Sequence, residues 1–204
     1  MLLSLQVRDL VLASWETEPE RVARTLPAGF GPAPVDGLHL VTIAGIRFGA
    51  GRLGLVPMMP FTQLNVRVYV EHEGEPAVFF LMSRVTLPGM GGALLGAPYR
   101  PARIRVGAEE TTAPGLGVSI RYEAIGAAEA SELTGHLVGL YEAAGVRAFR
   151  VRRGPAEWQR AVPIGPVRAD PLTALGFDVG EPPSILYAAG TVFEAELPPR
   201  RISP

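Results

Sequence analysis

Residues 61–70, FTQLNVRVYV, and residues 76–85, PAVFFLMSRV, flank the acidic turn EHEGE, and together they specify an antiparallel hairpin. β-Branched and aromatic residues fill both runs, and Gly74 supplies the turn. Side chains along a strand alternate between faces, so Phe61, Gln63, Asn65, Arg67 and Tyr69 share one face, and Thr62, Leu64, Val66, Val68 and Val70 the other. The second face is apolar and needs a cover; the first is polar with aromatic ends. Spacing alone leaves two accounts of that polar face open. Either it meets water, or the sheet curls so that its lumen holds amide, guanidinium and phenol groups around a small polar ligand.

The rest of the chain points to more strands than helices. Residues 2–14 read as a strand leading to Trp15, followed by a short surface helix over 17–26 with Thr17 or Glu18 as cap and Pro19 at its first position. The run LHLVTIAGIRF, 38–48, reads as a buried strand, with Gly49 to Gly54 as a loop after it. Shorter strands are expected at 102–108 and 117–125. A helix is expected over 130–144, capped by Ser131, with Leu133, Leu137, Leu140 and Tyr141 on one face and Gly145 as its stop. Strands at 146–152 and 184–196 flank a proline-rich excursion holding a turn of helix near 171–175. The segment TLPGMGGALLGAPYRP, 86–101, reads as a mobile connection of the kind that often carries function. With no repeat or boundary, the 204 residues are expected to form one α+β domain.

A formal net charge of −1 gives no reason to expect nucleic acid or an anionic membrane surface as partner, which leaves small molecules and proteins, a second copy of the chain included. The chain has no cysteine, and its apolar N-terminal stretch is broken by Arg8 and Asp9, so a cytoplasmic location is expected. All nineteen basic residues are arginine. Without lysine there is no side-chain amine for a Schiff base, including the pyridoxal phosphate link, and no cofactor is expected.

GAGRLG, 49–54, has dinucleotide-binding spacing, but Pro57 and Pro60 preclude the helix that would follow, so a strand-linking loop is the better reading. His39, His72 and His136 lack a second ligand at metal-like spacing; His39 is read as structural. The arginines at 100, 103 and 105 and at 147, 150, 152 and 153 read as solvated strand faces in a near-neutral chain.

FTQLNVRVYV, its hairpin partner, the glycine-rich connection and APYRPARIRV, preceded by Trp15, LPAGF and VDGLHLV, resemble the bacterial family called domain of unknown function 2071, in the acetoacetate decarboxylase-like superfamily. The similarity extends from Trp15 to about residue 140, and the C-terminal third fits poorly. The resemblance implies one domain over 1–204, a cone-like antiparallel β-barrel with a few flanking helices and a central cavity for small carboxylated or keto compounds. Two departures matter. Gln63 stands where the family usually has an acid, and no lysine stands near Tyr99 to Arg103, so Schiff-base decarboxylation is not carried over.

The expectation is a cavity for an organic acid or keto compound, with Arg67 as anionic anchor and Gln63, Asn65, Tyr69, Tyr99 and Arg100 completing the ligand-binding set. Glu123, beside Arg121, is the candidate acidic partner for Arg67 in the absence of ligand. Two other readings stay open: a non-covalent lyase or isomerase-type enzyme in which Arg67 stabilises an enolate, and a purely structural or interaction protein.

Overall fold

In a computed structural model that describes residues 1–87, 98–129, 131–135 and 138–202, the described residues form fifteen strands and two five-residue helices. In chain order they are β1 (Leu2–Glu16), α1 (Pro19–Ala23), β2 (Leu40–Leu53), β3 (Val56–Met58), β4 (Phe61–His72), β5 (Glu75–Val85), β6 (Arg100–Pro101), β7 (Arg105–Val106), β8 (Glu110–Ala113), β9 (Val118–Ala127), β10 (Val138–Glu142), β11 (Val146–Arg153), β12 (Trp158–Pro163), β13 (Arg168–Ala169), α2 (Asp170–Ala174), β14 (Ser184–Glu196) and β15 (Arg200–Arg201). No helix among the described residues is long and apolar enough to cross a membrane.

Seven strands close a barrel in the order β11, β10, β5, β4, β2, β1, β14, with β14 pairing back onto β11. Strict antiparallel alternation cannot close a ring with an odd number of strands, so at least one joint must be parallel. Here that joint is β10 against β5, with Leu140 opposite Phe79.

β14 serves two layers. Its C-terminal part pairs with β11, Phe193 opposite Arg153, while Ile185–Ala188 pair with β12. From β12 the sheet continues through β9, β8 and β7, and packs over the outside of the barrel. Leu64, Val66 and Val68 of β4 are fully buried there in a core with Val41, Ile43, Val106, Ile120 and Leu172. Each such side chain contributes about 1.5–3 kcal/mol. The apolar face of β4 therefore looks outward into a covered layer, and its other face looks into the lumen.

The lumen has its own apolar lining, including Leu3, Leu5, Leu10, Leu12, Ile46 and Phe48. A register shift against β2 lets β1 keep these residues inside: the inward set runs Leu3, Leu5, Val7 and then Leu10, Leu12, with Arg8 as the extra residue. The GAGRLG segment lies at this irregularity. It continues β2 as far as Leu53 instead of forming a loop. A Cβ on Gly51 would lie 2.4 Å from Leu5 Cδ2 and 2.9 Å from the Ser4 carbonyl, so glycine here permits close strand approach. The turn itself comes at Gly54, at φ +59°.

An expected helix is overturned as well. In place of a helix over 130–144 there is a 3-10 turn at Glu132–Thr134 and then strand β10. Val138 to Tyr141 are all buried, because β10 lies between β5 and β11, and a continuous apolar run fits a helix face and a doubly covered strand equally well. Ser131 still caps, its Oγ accepting the Leu133 N–H at 3.1 Å. The proline-rich excursion holds α2 as expected, and also β12 and β13. His136, Leu137 and residues 88–97 of the glycine-rich connection lie outside the described residues.

Candidate functional site

The lumen contains a cavity of about 410 Å³. β4 turns Phe61, Gln63, Asn65 and Arg67 into it, as the period of two requires, and Tyr99 reaches it from just before β6. Gln63 and Asn65 are buried, at 9% and 1% exposure, and Phe61 and Arg67 are partly buried, so the middle of this strand face is shielded from bulk water. Met59 and Leu87 are the exposed members of the apolar lining and mark its mouth.

The polar groups are sparse and under-satisfied. Asn65 Oδ1 and Arg67 Nε are buried without hydrogen-bond partners among the described residues. The Arg67 guanidinium lies 5.6 Å from the centre of the Tyr69 ring, a cation–π contact. Burial pushes the Tyr99 phenol well above its ordinary value, nearby Tyr141 adds to the rise, and hydrogen bonding with Gln63 pulls back. Tyr99 is therefore a donor at neutral pH. No aspartate, glutamate or histidine is among the described residues that line the cavity.

Two residues of the expected set lie elsewhere. Tyr69 shares the lumen face of β4 but is not among the lining residues; its phenol is 2.8 Å from Thr42 Oγ1. Arg100 is exposed on β6, which pairs with the Arg84 end of β5, and it does not line the cavity. Glu123 is exposed on β9, in the outer sheet, and is no partner for Arg67. His39 also lies outside the lining; its carbonyl accepts the Thr17 N–H.

Arg153 is the residue that sequence reasoning missed. It lies at the end of β11, lines the cavity, and stacks on Trp158 with its guanidinium carbon 5.3 Å from the ring centre. Burial lowers its pKa from the ordinary arginine value, and repulsion from Arg67 lowers it further. The signal was present as alternation: Phe149, Val151 and Arg153 face inward, while Arg150 pairs with Glu75 and Arg152 lies 3.9 Å from Glu196 on the outside. Reading the arginines as one cluster hid that split.

Barrel and cavity define the class: a mostly-β closed barrel with extra strands and few short helices, of the acetoacetate decarboxylase-like fold. An acetoacetate decarboxylase from Legionella pneumophila aligns with a TM-score of 0.71 at 12% identity, covering 98% of this chain and 87% of its own. The enduracididine biosynthesis enzyme MppR complexed with pyruvate gives 0.67 at 15% identity, with 100% and 91% covered. An acetoacetate decarboxylase-like enzyme from Sphingomonas wittichii gives 0.67 at 15%, with 99% and 93% covered. Among curated protein sequences none matches the chain. The chain belongs to the DUF2071 family, described as an uncharacterised conserved protein, which it matches over residues 4–191. That match takes in most of the C-terminal third, which the resemblance read from sequence had left out.

Proposed function

We propose that the protein binds an organic acid or keto compound in the barrel lumen, with Arg67 as the anionic anchor and Gln63, Asn65 and Tyr99 as orienting groups. The observation that carries this reading is the combination of a buried, unpartnered Arg67 Nε with a lining whose described residues include no carboxylate. Leaving a buried donor unmatched costs about 1–3 kcal/mol, and more for a charged group, so the site is complementary to an anion that its described lining does not itself supply. Structural likeness to an enzyme complexed with pyruvate supports the same ligand class.

Binding without covalent chemistry is the form of this proposal, because the chain contains no lysine. A protonated Tyr99 beside Gln63 can donate to a carbonyl oxygen, which suits a non-covalent enzyme acting on a keto acid. Such an enzyme also needs a carboxylate or a tyrosine to move the proton; the described lining offers neither carboxylate nor imidazole, and burial disfavours the phenolate that Tyr99 would need to act as base. Binding is therefore the better-supported reading. Thermal-shift screening for a carboxylate ligand, followed by calorimetry on wild type and Arg67→Leu, tests it. The substitution should weaken binding by about 2–5 kcal/mol, as when one side of a desolvated charged pair is removed. Equal affinities would remove Arg67 as the anchor.

A further inference from the structure

The cavity is larger and more apolar than a keto acid of pyruvate size requires. Its volume of about 410 Å³ equals the liquid volume of about fourteen water molecules. Most of its wall is hydrocarbon, with aromatic rings including Phe48, Phe61, Phe80, Phe149, Trp158 and Phe193. Phe48 stacks on Phe61 at 4.6 Å and Phe80 on Phe149 at 5.9 Å. Water filling such a space would lack polar partners, and an apolar ligand body would displace it.

The charged groups are not spread through this volume. Arg67 is on β4 and Arg153 on β11, three strands apart by one path around the seven-strand ring and four by the other. They therefore reach into the lumen from opposing walls, near enough to repel one another. Neither has an acidic partner among the described residues. A single carboxylate carries two oxygens and can accept from both guanidiniums, which satisfies them and cancels their repulsion.

We infer that the cavity takes an amphipathic acid, its carboxylate head held between Arg67 and Arg153 and its aryl or medium-chain hydrocarbon body packed against the aromatic wall. This rests on the reading of Arg67 as anion anchor and adds the second cation and the character of the body. Trp158 positions Arg153 by lying under its guanidinium and lines the same space.

Calorimetry with butanoate, hexanoate, octanoate, pyruvate and phenylpyruvate tests the inference on wild type, Arg67→Leu and Arg153→Gln, with octanol as the uncharged control. Affinity should rise about fourfold per added methylene from butanoate to octanoate, until the cavity is filled. Phenylpyruvate should bind more tightly than pyruvate, and octanol more weakly than octanoate. Arg153→Gln should lower octanoate affinity by roughly tenfold or more while leaving the chain-length slope intact. Chain-length-independent binding that still requires Arg67 would overturn this inference and leave the anion anchor standing. Arg153→Gln binding octanoate as wild type does would remove the second cation and overturn it too. No binding by any acid, or octanol equal to octanoate with no effect of Arg67→Leu, would overturn both readings.

Discussion

The Tyr69 phenol lies 2.8 Å from Thr42 Oγ1, and that hydroxyl lies 2.8 Å from Ser14 Oγ, so a chain of three hydroxyls ties β4, β2 and β1 together outside the cavity lining. All three residues are buried. Tyr69→Phe keeps the ring under Arg67 and removes the bond to Thr42, which should cost about 0.5–1.5 kcal/mol in chemical denaturation. Affinity for a carboxylate should stay unchanged. A loss matching that of Arg67→Leu would mean the Tyr69 hydroxyl touches ligand after all.

Gly139 on β10 is pressed between two rings of the lumen wall. A Cβ there would lie 2.5 Å from Phe149 Cζ and 2.8 Å from Phe80 Cε2. Gly139→Ala should therefore destabilise the fold by about 1–3 kcal/mol through overpacking. The rings can yield only by shifting, so binding of an aromatic acid should weaken as well. Denaturation and calorimetry on the same variant read both effects, and wild-type values in both would show that the wall has slack.

Stability should fall at alkaline pH. Burial raises Tyr187 from about 10 to about 12; its hydroxyl donates to Asp9 Oδ1 at 2.9 Å, and the nearby Asp9 charge further disfavours phenolate. The folded chain holds this proton more tightly than the unfolded chain does. The resulting stabilisation is complete below about pH 10 and is lost as pH rises through about 12. Buried Tyr122 is shifted in the same direction. Urea denaturation over this range should show the decline, and a shallower one in Tyr187→Phe. Identical slopes would assign the loss to other groups.

Incubation with a β-keto acid and borohydride should leave no adduct on an internal peptide, because no lysine is present to form the imine. Mass spectrometry of the digested protein reads this directly. A reduced adduct at an internal residue would restore covalent chemistry to the site, whereas one at the Met1 amine would not. That amine donates to the Leu197 carbonyl at 2.7 Å.

Alternation along β4 was legible at once, and so was the placement of Gln63, Asn65 and Arg67 on one face, because strand stereochemistry is local and its period is two. The ends of β14 were legible for the same reason, at Ser184–Glu196. β10 was not, since a short run buried on both sides carries no period that separates strand from helix. Choosing between Arg100 and Arg153 was also beyond local pattern. Both stand in arginine-rich stretches, and alternation says only which neighbours share a face, not whether that face turns inward.

Residue types and their spacing determined by themselves the strand-rich architecture, the apolar and polar faces of β4, and the lack of lysine and cysteine side chains. Tertiary structure alone decided that the polar face looks into a closed lumen. It also decided that β11, far along the chain, stands opposite β4 and brings Arg153 toward Arg67. The physical reason is closure. A ring of seven strands with one parallel joint fixes which strands oppose each other through pairings between distant segments, and no local period encodes that arrangement.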